Sequence, residues 1–86
     1  MKKFIITMNT LDKATEFVIF CIENTAARID VPGSDIYREL KKTDGIKSFL
    51  YPSYDTLHTQ SKDYIVDEIL TYIKQQNPNF LTAKRT

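Results

Sequence analysis

Residues 51–73, YPSYDTLHTQSKDYIVDEILTYI, decide how this chain folds. Within them Ile65, Ile69 and Ile73 recur every four residues, with Val66 and Leu70 beside them. That spacing lays one apolar stripe along a helix over about residues 62–76. Asp63, Asp67, Glu68, Thr71 and Lys74 fall mainly on the opposite side. Ser61 is placed to cap the helix, since its hydroxyl can accept from an amide of the first turn. Asp63 then meets the positive end of the helix dipole. Asn77-Pro78 should end the helix, because proline disfavours helical geometry in the residue before it.

Just upstream lies Tyr54-Asp55-Thr56-Leu57-His58-Thr59-Gln60, which holds the only histidine. If residues 53–58 make one or two helical turns, Asp55 and His58 share a face. One reading is an acid–base pair, or a ligand-binding corner built from Tyr54, Asp55, His58, Thr59 and Gln60. The other is a carboxylate and an imidazole that tie a short helix to the next one. The second is favoured, because nothing nearby resembles a nucleophile with its base.

Further out, a first helix should begin at Asn9 or Thr10 and run to about Arg28. Leu11, Ala14, Val18, Cys21, Ile22 and Thr25 make one face. The unbroken apolar run from Phe17 to Ile22 cannot all point one way on a 3.6-residue helix. Phe17 and Phe20 therefore mark either a central helix covered on both sides or an interface with a second chain, like or unlike. Cys21, inside the run, reads as a small core hydrophobe. Ile29-Asp30-Val31-Pro32-Gly33 is a linker, and Ser34 should cap a short helix from Asp35 to about Thr43 with Ile36, Tyr37 and Leu40 inward. Gly45 is expected to take a left-handed C-terminal cap. Residues 46–51 form another short helical segment with Ile46, Phe49 and Leu50 inward.

The expected fold is all-α, a compact bundle of four to five helices. A long first helix and an amphipathic last helix are joined by short ones. The helical domain covers residues 9–76, between an N-terminal arm at 1–8 and a C-terminal tail at 77–86 whose Phe80 and Leu81 dock on it. The core should hold Leu11, Val18, Cys21, Ile22, Ile36, Leu40, Phe49, Leu57, Ile65, Ile69 and Ile73.

Eighty-six residues make one domain. A chain this long buries roughly 60–65% of its unfolded surface, enough for one core but cramped for a deep cavity as well. Net charge is +1 with the signs interspersed, which argues against a dedicated polyanion binder. One cysteine excludes an internal disulfide framework and fits a reducing cytoplasm. One Cys and one His make a zinc site within one chain improbable. Lys2-Lys3 before Phe4-Ile5-Ile6 mimics a signal peptide, but Thr7, Asn9, Asp12, Lys13 and Glu16 interrupt it. No membrane span and no cofactor are expected.

Three function classes compete. Residues 34–58 invite a helix-turn-helix comparison. The would-be recognition segment, however, offers only Lys47 and Ser48 before Phe49, Leu50, Tyr51 and Pro52. DNA binding is thus the alternative rather than the leading reading. Catalysis would have to rest on His58 with Asp55, Tyr54 or Tyr51. No phosphate loop, nucleophile motif or metal set accompanies them, so the chain is not expected to be an enzyme. Protein–protein interaction remains, with a protein partner or a second copy.

Glu16-Phe17-Val18-Ile19-Phe20-Cys21-Ile22-Glu23-Asn24, then Tyr54-Asp55-x-Leu57-His58-Thr59-Gln60, then Tyr64-Ile65-Val66-Asp67-Glu68-Ile69 resemble the bacterial domain-of-unknown-function family 3791. The resemblance spans about Leu11 to Lys74. Its most specific part is Leu57-His58-Thr59-Gln60 with the helix that follows. It implies a small cytoplasmic bacterial protein, encoded beside proteins that resemble ADP-ribosyltransferases in toxin–antitoxin-like or phage-related cassettes. An antitoxin-like or accessory subunit is the role it implies. No catalytic residue is carried over, but the family pattern singles out His58, Thr59 and Gln60.

Overall fold

Three prolines and two glycines stand at the ends of the helical runs. The computed structural model describes residues 12–85. Helix α1 is Lys13–Ile29 and α2 is Gly33–Lys42. A π-helical turn, Ile46–Leu50, leads to the single-turn α3, Tyr54–Leu57. Then come α4, Lys62–Gln76, and α5, Pro78–Arg85. No strand occurs among the described residues, so the bundle is all-α. No helix among them is long and apolar enough to cross a membrane.

The caps differ from expectation in instructive ways. Helix α1 starts at Lys13, where Asp12 Oδ1 accepts from the Thr15 amide at 2.7 Å. Asn9, Thr10, Leu11 and the 1–8 arm lie outside the described residues. Ser34 does not cap α2, because the helix already begins at Gly33 behind Pro32. Glu23 of α1 approaches instead, its Oε2 3.2 Å from where a Gly33 Cβ would stand. Ser61 does cap α4, its Oγ accepting from the Tyr64 amide at 3.1 Å.

Gly45 corrects the sequence reading most clearly. Its φ is −70°, and Asp44 next to it takes the left-handed conformation, φ 62°. Aspartate tolerates that region better than most residues. Glycine is required at 45 by space: a Cβ would lie 2.8 Å from Tyr72 Cε2 and 2.9 Å from Leu40 Cδ2. The chain then winds a π turn in which the Tyr51 amide donates to the Ile46 carbonyl at 3.0 Å. Pro52 has no N–H, so a regular α-helix continued through it would leave the Ser48 carbonyl without a donor. The segment compared with a recognition helix is therefore five residues of wide turn.

Val18, Cys21, Ile36, Leu40, Leu57, Ile65, Ile69 and Ile73 are buried as anticipated. Phe17, Ala26, Leu50, Val66 and Phe80 join them. Ile22 and Phe49 are only partly buried against this core, and Tyr37, expected inward, is 45% exposed. Burial pushes the Cys21 thiol up to about 12, so it stays a protonated core group.

Helix α1 packs on α2 and on α4, and α4 on α5. Arg28 bridges α1 to α4, with Nη1 2.8 Å from Asp67 Oδ1 and Nη2 3.2 Å from Asp63 Oδ1. Residues 77–86, expected as a tail, carry α5, so the amphipathic α4 is not the last helix. Pro78 stops α4 but suits the first position of a new helix. Phe80 is buried in the core and Leu81 packs against it. Asn77 Nδ2 donates to Glu39 Oε2 at 3.0 Å, and Lys42 Nζ lies 3.5 Å from Glu39 Oε1. Glu39 is itself buried, so this joint gives a desolvated carboxylate its partners.

Candidate functional site

Leu57 is buried, and it anchors the single turn of α3 against the core. That fixes Tyr54, whose ring meets Phe17 edge-on at 5.5 Å and 77°. His58 stacks on the same tyrosine, with centroids 4.3 Å apart and planes 13° apart. His58 Nδ1 lies 2.7 Å from the Tyr54 carbonyl oxygen. A carbonyl only accepts, so Nδ1 carries the proton and Nε2 is the acceptor nitrogen of the neutral ring.

Asp55 does not hold the imidazole. It is exposed, and no hydrogen bond or ion pair joins it to His58. The histidine turns back on the carbonyl four residues earlier instead, a partner that sequence spacing to a carboxylate could not show. Thr59 and Gln60 are exposed, and Gln60 donates its backbone N–H to the Leu57 carbonyl at 2.9 Å. The structure thus brings Tyr54 and His58 together, and leaves Asp55, Thr59 and Gln60 around them without side-chain links among the described residues. A contact absent from the sequence reading flanks the corner: Thr15 Oγ1 and the Tyr51 hydroxyl are 2.8 Å apart. No motif joins positions 36 residues apart, so only folding could reveal it.

The expected interface pair separates. Phe17 is 7% exposed and belongs to the core, covered by Tyr54. Phe20, one turn on, is 39% exposed. Ile19 on α1 and Tyr37 on α2 are exposed as well. Ile19, Ile22, Glu23 and Tyr37 line an open hollow of about 260 Å³ between the two helices. Tyr37 also borders a second hollow, of about 340 Å³, with Lys41, Asp44, Ile46 and Lys47. Lys41 Nζ stands 5.8 Å from the centroid of the Tyr37 ring. His58 borders neither hollow. Among the described residues, no three of His, Cys, Asp and Glu gather as metal ligands would.

A family model described as a protein of unknown function (DUF3791) matches residues 16–76. The match includes nearly all of α1, the whole of α2 to α4, and the His58 corner, and it stops short of α5. No curated protein and no solved structure matches the chain.

Proposed function

We propose that this chain, which belongs to the DUF3791 family of proteins of unknown function, serves as a small protein–protein interaction module. The observation that supports this is the outward apolar face of α1 and α2. Ile19 and Phe20 point away from a core that is already filled, and Ile19 shares its hollow with Tyr37. Single exposed apolar residues are ordinary; two beside one hollow, with Phe20 exposed on the same helix as Ile19, suit an interface in a small domain. By its resemblance, the chain acts as an antitoxin-like or accessory subunit to an ADP-ribosyltransferase-like neighbour. A reducing cytoplasm is the proposed compartment, in keeping with a single, buried cysteine.

The test is co-expression with the ADP-ribosyltransferase-like product of the adjacent gene, followed by mass measurement of the purified complex. The wild-type chain should co-purify in fixed stoichiometry. Ile19→Glu with Phe20→Glu should lose the complex while keeping its melting temperature. A chain that stays monomeric alone and binds nothing in co-expression would end this proposal.

A further inference from the structure

We propose that the α1–α2 face receives a second copy of this chain, turned end for end, in a two-fold symmetric dimer. This rests on reading that face as an interface, and it names the occupant. The argument is the distribution of charge along α2. Positions 33, 37 and 41 repeat every four residues, so each step climbs about 6 Å along one side of the helix. At the first position lies the Glu23 carboxylate, 3.2 Å from where a Gly33 Cβ would stand. At the middle position is Tyr37, which borders both hollows and is 45% exposed. At the last position is Lys41, and Lys47 joins it around the second hollow.

The face is therefore acidic at one end, apolar at its centre with Ile19 and Tyr37, and basic at the other end. Asp44 also borders the basic end, but its Oδ2 accepts from Ser48 Oγ at 2.6 Å, and two lysines outweigh it. Neither Lys41 nor Lys47 has an ion-pair partner among the described residues. In a two-fold dimer each residue i that meets j is matched by j meeting i. A rotation axis through Tyr37 would carry Glu23 of one copy onto Lys41 and Lys47 of the other, twice over. The two tyrosines and the two Ile19 side chains would then close the centre. A face of single sign would repel its own copy; this one is complementary to itself.

Light scattering on the full chain at high micromolar concentration should give twice the 10.0 kDa chain mass. Glu23→Lys alone, and Lys41→Glu with Lys47→Glu alone, should each self-associate about ten-fold or more weakly, since like charges then face each other. Mixed in equal amounts, these two variants should regain the dimer mass, because every pair is again opposite in sign. Glu23 lies against the first turn of α2, so a second set avoids it: Tyr37→Glu and Tyr37→Lys, monomeric apart and dimeric together. A wild-type monomer at every concentration overturns the proposal, as does a dimer that both sets leave intact or a mixture that stays monomeric. A monomer that still captures the neighbouring gene's product would refute the second copy and leave the interaction module standing. A dimer that captures nothing would do the reverse for the accessory role.

Discussion

Two pairs of stacked rings stand beside helix joints in this protein, and their surroundings differ. Phe49 and Tyr72 lie 4.7 Å apart with planes 3° apart, at the junction of α2, the π turn and α4. Tyr54 and His58 lie 4.3 Å apart at 13°, at the junction of α3 and α4. In the first pair the Tyr72 hydroxyl donates to the Thr43 carbonyl at 2.9 Å, and the ring leaves Gly45 no room for a Cβ. In the second, the imidazole is exposed and donates to a carbonyl of its own short helix. Stacking alone thus does not separate a structural joint from a candidate site. Room at the backbone and unused polar atoms do: the locked joint leaves no place for a Cβ at 45 and engages its tyrosine hydroxyl, while the open one presents an acceptor nitrogen.

The largest effect expected from this contrast is at Gly45. Gly45→Ala should destabilise the fold by about 1–3 kcal/mol through overpacking against Tyr72 and Leu40. The urea midpoint at constant slope measures it; an unchanged midpoint would mean that the first joint is not locked. Tyr72→Phe keeps the stack and removes one part-buried hydrogen bond, so the loss should be about 1 kcal/mol. A loss as small as that of a surface substitution would erase the contrast. His58→Ala removes an exposed, local contact, and on the order of 0.5 kcal/mol is expected. If partner capture falls while thermal stability holds, the open joint is a binding corner; if both fall together, it is structural.

The smallest effect concerns acid. Asp12 has its carboxyl held below its ordinary value of 3.8, chiefly by the hydrogen bond from the Thr15 backbone and then by the Thr15 side chain. A depressed value means that the cap stabilises α1 fully above 3.8 and is lost as pH falls through the lower, folded value. Thr15 also holds Tyr51 beside the open joint. Acidification should therefore fray the start of α1 and loosen that joint first. Amide exchange at Thr15 and Glu16 followed downward from pH 5 reads the change, and Asp12→Asn should flatten it.

Much of the bundle was legible along the chain because its causes are local. The four-residue spacing of Ile65, Ile69 and Ile73, the Ser61 cap and the stop before Pro78 all depend on neighbours within one helical turn. Errors arose where space between helices decided. Gly45 looked like a left-handed cap because glycine usually serves that purpose, yet Tyr72, far along the chain, sets its requirement. Tyr37 and Phe17 exchanged roles for the same reason. Apolar spacing puts Tyr37 on the inner face of its helix and Phe17 beyond that of its own, but Phe17 has Tyr54 to cover it while Tyr37 stays exposed. The histidine corner was half legible: the stretch was visible, while the partner of His58 was not.

By itself the sequence determined an all-α class, the main helical spans and most of the core, since periodicity, capping and proline geometry act over a few residues. Tertiary structure alone decided which apolar side chains face outward, why glycine stands at 45, that residues 78–85 wind as a helix plugged by Phe80, and that the imidazole answers to a backbone carbonyl. Those outcomes depend on which surfaces meet across the fold. A residue's burial and its hydrogen-bond partner belong to the packed helices together and cannot be read from one helix alone.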